Sequence, residues 1–481
     1  MNTAIRRVWF ASVAIVVVLL LALTYVQFFA AKSLEANPWN NRALYDQFGS
    51  DRGSILVGGE EIAKSVPSQD DFEHQRVYES SPLYAHLTGY FSLVYGATGL
   101  EAAMGEQLSG ASDEQFYNRV VSLFSGNQPT GASVELTLNP ELQRVAHDAL
   151  QGHKGSIVAV NPQTGEILAM ASSPGYDANR LASHNADDVV AAADELNSDP
   201  DKPLENRAIA GDLYSPGSTF KIIDTVAALE SGQYDTDSTL PNPAELPLPG
   251  TTVTLPNYRQ GGCAARTEVN LEFALEQSCN TPFASIAMDL GQDAISKTAE
   301  NFGYGQDLSI PLQVTPSLFP EDMNDSQLAL SSIGQYDVRT TPLQVAMMSA
   351  AIANDGVMMK PQLVKTVRSS DLSVIQDFEA EQLRRSTDPE TAQTVKDLMV
   401  QVVSDGIAGG ASVPGVEVGG KTGTAEVGTE AGLNDSWFTG FAPANDPQIA
   451  VAVVIEDVDV TTGAQLTSPS AKQLFEAVLN Q

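Results

Sequence analysis

Histidine is scarce in this chain of 481 residues: there are five, at 74, 86, 147, 153 and 184. No nucleophile elbow accompanies them, so a Ser-His-Asp hydrolase has no support. Cysteine is scarcer still, with only Cys263 and Cys279. No metal-ligand spacing or phosphate loop is evident, and neither a metal nor a cofactor is expected. Basic residues are also few, 26 against 60 acids, for a formal charge of −34. That balance argues against a nucleic-acid partner, because phosphate binding needs a basic surface. It would repel anionic lipid surfaces too, so any cationic site has to be local. There is no internal repeat, and no low-complexity tract beyond the acidic 180s to 200s. With 43% hydrophobic and 18% charged residues the chain is otherwise ordinary for a globular protein.

Long apolar runs are limited to one. Residues 8–31 form 24 positions without a charge, including Ile15 to Leu21, enough to cross a bilayer as a helix. Arg6 and Arg7 precede it, which keeps the short tail 1–7 in the cytoplasm and everything after Lys32 outside the cell membrane. Trp9 at one end and Tyr25, Phe28 and Phe29 at the other suit the two interfaces. The rival reading is a cleaved signal peptide, but Phe29-Ala30-Ala31 is a poor cleavage site and the run exceeds a usual signal core. A single-pass anchor with a large external body is therefore expected. Outside the membrane two cysteines favour a Cys263–Cys279 bridge, worth about 3 kcal/mol in the chain-entropy model. Two buried thiols are the alternative, since sequence does not give the geometry.

Residues 32–150 read as a region of their own, from Asn37-Pro38-Trp39-Asn40-Asn41-Arg42 and Arg52-Gly53 through Tyr95-Gly96-Ala97-Thr98-Gly99-Leu100-Glu101. Short alternating runs between turn signals suggest mostly strands with some helix, a spacer or docking pedestal without chemistry. Its end is expected as a strand over 133–138 and a helix over 140–150. Residues 151–481 open with a hairpin, 155–160 and 166–170, around Asn161-Pro162-Gln163-Thr164-Gly165. A helical middle follows, including 341–354. Strands return at 416–424, 436–441 and 450–456, before a closing helix at 470–479. Strands at both ends with helices between them imply an α+β domain with an antiparallel sheet.

Within that domain Tyr214-Ser215-Pro216-Gly217-Ser218-Thr219-Phe220-Lys221 breaks the chain and begins a helix. Ser218 and Lys221 then sit one turn apart on one face, a hydroxyl beside an amine: a nucleophile with a candidate base. A lone Ser-x-x-Lys is weak, because serine is a common N-cap. Yet of eleven lysines only Lys221 has a serine three positions before it. Two further pieces follow, Ser278-Cys279-Asn280 and Lys421-Thr422-Gly423-Thr424. Ser-x-Asn recurs at 125–127 and 183–185, but only the 278–280 copy lies between Ser218 and Lys421. The ordered trio is the specific signal.

These motifs resemble the penicillin-binding proteins, in the active-site-serine family that includes the serine β-lactamases. Asn206-Arg207-Ala208, Ile333-Gly334-Gln335, Thr341-Pro342-Leu343-Gln344 and Trp437 to Pro443 look like the same family. The N-terminal region looks like the short class B transpeptidases of the PbpA type found in actinobacteria, with a dimerisation-like pedestal. The resemblance implies a peptidoglycan D,D-transpeptidase whose Ser218 attacks the carbonyl between the last two D-alanines of a stem peptide. Lys221 is then the base and Ser278 the proton relay, with Lys421 orienting it. Asn280 holds a substrate amide, and Thr422, Gly423 and Thr424 line the carboxylate and oxyanion side. β-Lactams become covalent inhibitors. A membrane-embedded glycan polymerase of the FtsW/RodA kind becomes the implied partner.

Rivals within the family are a D,D-carboxypeptidase and a β-lactamase. The Glu-x-x-Leu-Asn water-positioning segment of class A β-lactamases has only one match, Glu430 to Asn434, which falls out of order after Lys421. The middle motif is also Ser-Cys-Asn and not Ser-Asp-Asn. A β-lactam sensor would need more membrane spans and a zinc-protease motif. A bifunctional enzyme would need more chain than residues 32–150 provide. A non-catalytic membrane-anchored scaffold is the alternative of a different class, and the full set of side chains weighs against it.

Overall fold

The computed structural model describes residues 2–30, 48–115, 130–150, 152–257, 262–427 and 432–480. The Asn37–Arg42 stretch, Ala31 at the end of the apolar run and Glu430 lie outside the described residues. Helix α1 (Asn2–Thr24) continues as a π-helical turn, Tyr25–Phe29. Its apolar span Ile5–Phe28 is 24 residues long and wholly unburied. At 1.5 Å per residue that is about 36 Å, enough for the roughly 30 Å hydrocarbon layer with some tilt. Leu19, Leu20 and Leu21 are each about 60% exposed, which in water would be a large unpaid cost and in lipid is none.

Two sheets organise the remainder. The strands, in chain order, begin with β1 (Ile55–Val57), β2 (Glu60–Pro67), β3 (His74–Tyr78) and β4 (Ser133–Leu136). The hairpin β5 (Gly155–Val160) and β6 (Ile167–Ser173) follows, then β7 (Val364–Arg368) and β8 (Val374–Asp377). Last come β9 (Gly419–Glu426), β10 (Asn434–Ala442) and β11 (Ile449–Val458). The first sheet has the order β8-β7-β4-β1-β2-β3, and the second β9-β10-β11-β5-β6. Every pairing in the second sheet is antiparallel, as an α+β domain with strands at both ends of the chain requires. The first sheet borrows β7 and β8 from far down the chain, with β7 antiparallel to β4, so it is not built from residues 32–150 alone.

Of the helices α2 (Pro140–Leu150), α3 (Lys221–Glu230), α4 (Asn280–Leu290), α5 (Pro342–Ala353) and α6 (Val460–Leu479), α2, α5 and α6 pack on the second sheet, as does the helix Pro389–Ser404 against β9. Strand β5 is buried at every position because both faces of the sheet are covered. Leu142, Ala146 and Leu150 of α2 share a core with Ile157, Ala169 and Phe475. Thus α2, which the sequence reading grouped with the pedestal, packs on the second sheet. On the opposite face α5 is buried along its whole length, and its Ser349 hydroxyl meets that of Thr439 at 2.7 Å. Helix α6 starts ten residues before the expected 470. Asp459 caps it by accepting from Thr461 N and Thr462 N, and Pro469 lies inside it. The first half buries Gly463, Thr467 and Ser468 in place of an apolar stripe, which is why hydrophobic periodicity did not reveal it.

The first sheet is tied to its helices by a buried ion cluster. Glu101, fully buried, accepts from Arg52 Nε and Arg76 Nε at 2.6 Å each, and Tyr78 donates to it at 3.3 Å. The Arg52 guanidinium also lies 4.4 Å from the Phe91 ring. Burial alone would raise the Glu101 pKa, but the two guanidinium groups outweigh it and hold the carboxyl below its ordinary range. Two cations sharing one anion are stable only while all three are present. Glu101→Gln should therefore cost about 3–5 kcal/mol, read as a fall in Tm. In the wild type this contribution is complete above the unfolded carboxyl pKa of about 4.3 and is lost as pH falls through the lower folded value. A Tm unchanged by the substitution would show that the cluster carries no net stability.

Candidate active site

Gly217 to Phe220 form a single 3₁₀ turn that passes directly into α3 at Lys221. In a 3₁₀ turn residues three apart eclipse one another, so Ser218 and Lys221 are stacked along one line. Phe220 locks the turn from below, fully buried and stacked on Phe319 with ring centroids 5.4 Å apart. Ahead of the turn, Trp437 Nε1 donates to Ser215 O at 3.1 Å and Arg339 Nη1 donates to Ser215 Oγ at 2.9 Å. Arg207 and Tyr214 both donate to Glu456 Oε1. These contacts account for several of the segments around Arg207, Thr341 and Trp437 singled out in the sequence.

The second wall comes from Ser278-Cys279-Asn280, between the short helix Leu271–Glu276 and α4. Ser278 has a left-handed backbone, φ 58°, which turns its hydroxyl toward α3. Cys263 and Cys279 are joined, with Cα atoms 5.5 Å apart. The bridge therefore ends inside this motif. Asn280 N donates to Asn257 Oδ1 at 2.8 Å, and Asn280 Nδ2 to Pro256 O at 3.2 Å.

Lys421 supplies the third wall from β9. Both it and Lys221 are fully buried. Lys421 Nζ donates to Ser278 Oγ at 2.8 Å and to Thr422 O at 3.0 Å. Lys221 Nζ donates to Ser278 O and to Asn280 Oδ1, both at 2.8 Å, and lies 3.4 Å from Ser278 Oγ. Burial, with the Lys421 cation adding to it, pushes the Lys221 pKa well below its ordinary value; Asp224, one turn further on α3, opposes the shift weakly. Burial alone lowers Lys421, to about 7. Both amines are thus held below the ordinary lysine range, and Lys221 alone feels its neighbour's charge as a further lowering. A neutral amine has two N–H donors and one lone pair. Here two carbonyl-type acceptors lie within 2.8 Å of the nitrogen, and the Ser278 hydroxyl is the third group around it.

Gly217 sets the spacing between the turn and β9. Its φ is +54°, and a Cβ there would lie 2.6 Å from Thr424 O and 3.0 Å from Thr424 N. Gly334 packs on Gly217 in turn, where a Cβ would come within 2.0 Å of Gly217 O. This approach sets the Gly217–Ser218 backbone against that of Thr424, the two segments whose N–H groups are the expected oxyanion donors. The cleft they border has a volume of about 520 Å³ and is lined by Ser218, Ser278, Asn280, Thr422, Gly423 and Thr424. The structure therefore brings together all eight residues expected at the site. Sequence reasoning missed the apolar wall facing β9, Leu248, Val253 and Tyr336, and the acid Glu426. The wall comes from loops with no periodicity, but Glu426 was legible as the residue two beyond Thr424 on a strand. Among the described residues no cluster of His, Cys, Asp and Glu could hold a metal ion.

Residues 155–480 match the penicillin binding protein transpeptidase domain, and residues 52–134 the penicillin binding protein A dimerisation domain. The chain belongs to the penicillin-binding protein transpeptidase family. It is 41% identical to the peptidoglycan D,D-transpeptidase PbpA of Mycolicibacterium smegmatis, over 100% of both chains. It is 40% identical to that of Mycobacterium tuberculosis, over 100% of this chain and 99% of the relative. Among solved structures, penicillin-binding protein A of M. tuberculosis as a ceftriaxone acyl-enzyme superposes with a TM-score of 0.87 at 39% identity. That match covers 90% of this chain and 100% of the other. The penicillin G acyl-enzyme of the same protein gives 0.85 at 39% identity, covering 89% and 100%. The expected fold class and family stand, with class B features along the whole chain.

Gly217→Ala would force a side chain into the Thr424 backbone at an unfavourable φ. Pushing β9 away from Ser218 separates the two N–H donors, and losing one such donor costs about 10²–10³ in rate. Acylation by benzylpenicillin, followed by intact mass, should fall by that factor in folded protein. Acylation within threefold of wild type would mean that this close approach does not matter.

Proposed function

We propose that this protein is a membrane-anchored peptidoglycan D,D-transpeptidase that acts in cell wall synthesis during growth or division. The observation that carries the reading is the buried Lys221 amine, relieved of charge and one 3₁₀ turn from Ser218 at the floor of an open cleft. Ser218 Oγ attacks the carbonyl between the two terminal D-alanines while Lys221 takes its proton. The tetrahedral oxyanion sits between the Ser218 and Thr424 N–H groups. Ser278, held by Lys421 at 2.8 Å, hands a proton to the departing D-alanine amine.

Asn280 has its oxygen occupied by Lys221 and one amide hydrogen by Pro256 O. The remaining hydrogen is available to the substrate's peptide carbonyl. Thr422 and Thr424 face the terminal carboxylate, which Lys421 also attracts. An amine from a second stem then attacks the Ser218 ester, releases the serine and joins two strands. The acyl-enzymes solved for penicillin-binding protein A of M. tuberculosis support covalent β-lactam inhibition here.

Helix α1 serves as the anchor, with residues 1–7 cytoplasmic and the catalytic body outside, in keeping with Arg6 and Arg7 ahead of it. Residues 32–150, apart from α2 and joined by β7 and β8, act as the pedestal of a transpeptidase domain over 151–481. Through α1 and the pedestal the protein works beside a membrane-embedded glycan polymerase of the FtsW/RodA kind.

Ser218→Ala should abolish labelling by a fluorescent penicillin. Lys221→Met should slow it by about 10²–10⁴, the usual contribution of a general base. With a thioester stem-peptide donor, wild-type protein should transfer the acyl group to an added amine. Persisting label on Ser218→Ala, or acyl transfer to water alone, would overturn the transpeptidase reading.

A further inference from the structure

Strand β9 is an edge strand, paired only with β10, so its outer edge is open to an extended peptide. Alternation along the strand puts Thr422, Thr424 and Glu426 on one side, and all three line the cleft. Among the described residues Glu426 is the one charged residue in that lining. It is exposed, and its carboxylate has no hydrogen bond or ion pair among the described residues. The other charges of the site, Lys221 and Lys421, are buried beneath the floor. The cleft therefore favours a carboxylate near Lys421 and a cation near Glu426.

We propose that Glu426 is a specificity-determining residue for the donor strand, receiving the side-chain ammonium of the residue that precedes D-alanyl-D-alanine. The inference rests on the transpeptidase reading above. Transpeptidation joins stems of one kind, so a donor carries the same amine with which it would serve as acceptor, and at neutral pH that amine is an ammonium. The terminal carboxylate at Lys421 and Thr422, with the scissile carbonyl at Thr424 N–H, fixes the direction of the donor. It runs antiparallel to β9, and its earlier residues lie toward Glu426. At about 3.4 Å per residue, Glu426 lies roughly 7 Å beyond Thr424, within reach of a long amine-bearing side chain extending from the preceding residue.

The test uses the full-length protein in detergent and two acyl-D-alanyl thioester donors whose preceding residue is lysine, one with a free ε-amine and one N-acetylated. Acylation of Ser218 is followed by intact mass, and each rate is divided by the same protein's benzylpenicillin acylation rate to cancel general losses. Wild type should favour the free amine by about three- to tenfold, less at high salt. Glu426→Gln should bring the ratio to about one, and Glu426→Asp should recover part of the preference. Equal rates in wild type, or a preference undiminished in Glu426→Gln, overturn the inference. So does a preference seen only when the amine is supplied as acceptor, which would assign Glu426 to the other strand. Penicillin acylation with no reaction of either thioester overturns the transpeptidase reading itself.

Discussion

One serine hydroxyl lies between two lysines that the fold has removed from water. Ser278 Oγ is 2.8 Å from Lys421 Nζ and 3.4 Å from Lys221 Nζ, and neither lysine has any exposed surface. Two ammonium groups sharing that hydroxyl are no further apart than the two distances together, and at about 6 Å they would repel by about 3 kcal/mol even at an effective dielectric constant of 20. Burial disfavours each charge as well. The site relieves both costs by disfavouring two charges at once: burial lowers the pKa of both amines, and the Lys421 cation lowers that of Lys221 further. A strongly acidic protein thus concentrates a local positive field at one point, with a base beside it that needs no histidine.

The rest of the architecture serves to hold three separate pieces of chain around that hydroxyl. The 3₁₀ turn carrying Ser218 is pinned below by Phe220 and ahead by Trp437 and Arg339. Gly217 lets it touch the β9 backbone with no side chain intervening, and Gly334 backs it. The Ser278 wall is tethered by the Cys263–Cys279 bridge and by Asn257. The second sheet is buried between α5 on one face and α2 with α6 on the other, and β9, at its edge, packs against the helix Pro389–Ser404 and the Gly217–Phe220 turn. Among the described residues α1 is the one helix long and apolar enough to cross a membrane, and it stands apart from this packing.

Much of this was legible because the reaction leaves marks in local sequence. Ser218-x-x-Lys221, Ser278-x-Asn280 and Lys421-Thr-Gly-Thr are each short, and their order implies convergence. The apolar run of α1 and the hairpin of β5 and β6 follow from periodicity and turn residues alone. What escaped notice depends on tertiary contact. Helix α6 buries small and polar residues near its start, so its first ten residues lack an apolar stripe. Strands β7 and β8 join a sheet whose other members lie more than two hundred residues earlier, and α2 belongs by packing to the sheet that follows it. The left-handed Ser278 and the burial of Asp224, whose carboxylate makes no hydrogen bond among the described residues, are likewise products of packing.

The central claim is that burial, reinforced by the Lys421 cation, holds Lys221 neutral. It is tested most directly by NMR of the lysine Nζ groups in ¹⁵N-lysine-labelled protein across pH, with Lys221→Met and Lys421→Met used for assignment. The Lys221 amine should titrate far below the ordinary lysine value. Removing the Lys421 cation should move the Lys221 transition to higher pH, since the repulsion that favours its neutral form is gone. A Lys221 that stays protonated into the ordinary lysine range, or whose titration is indifferent to Lys421, would contradict the account.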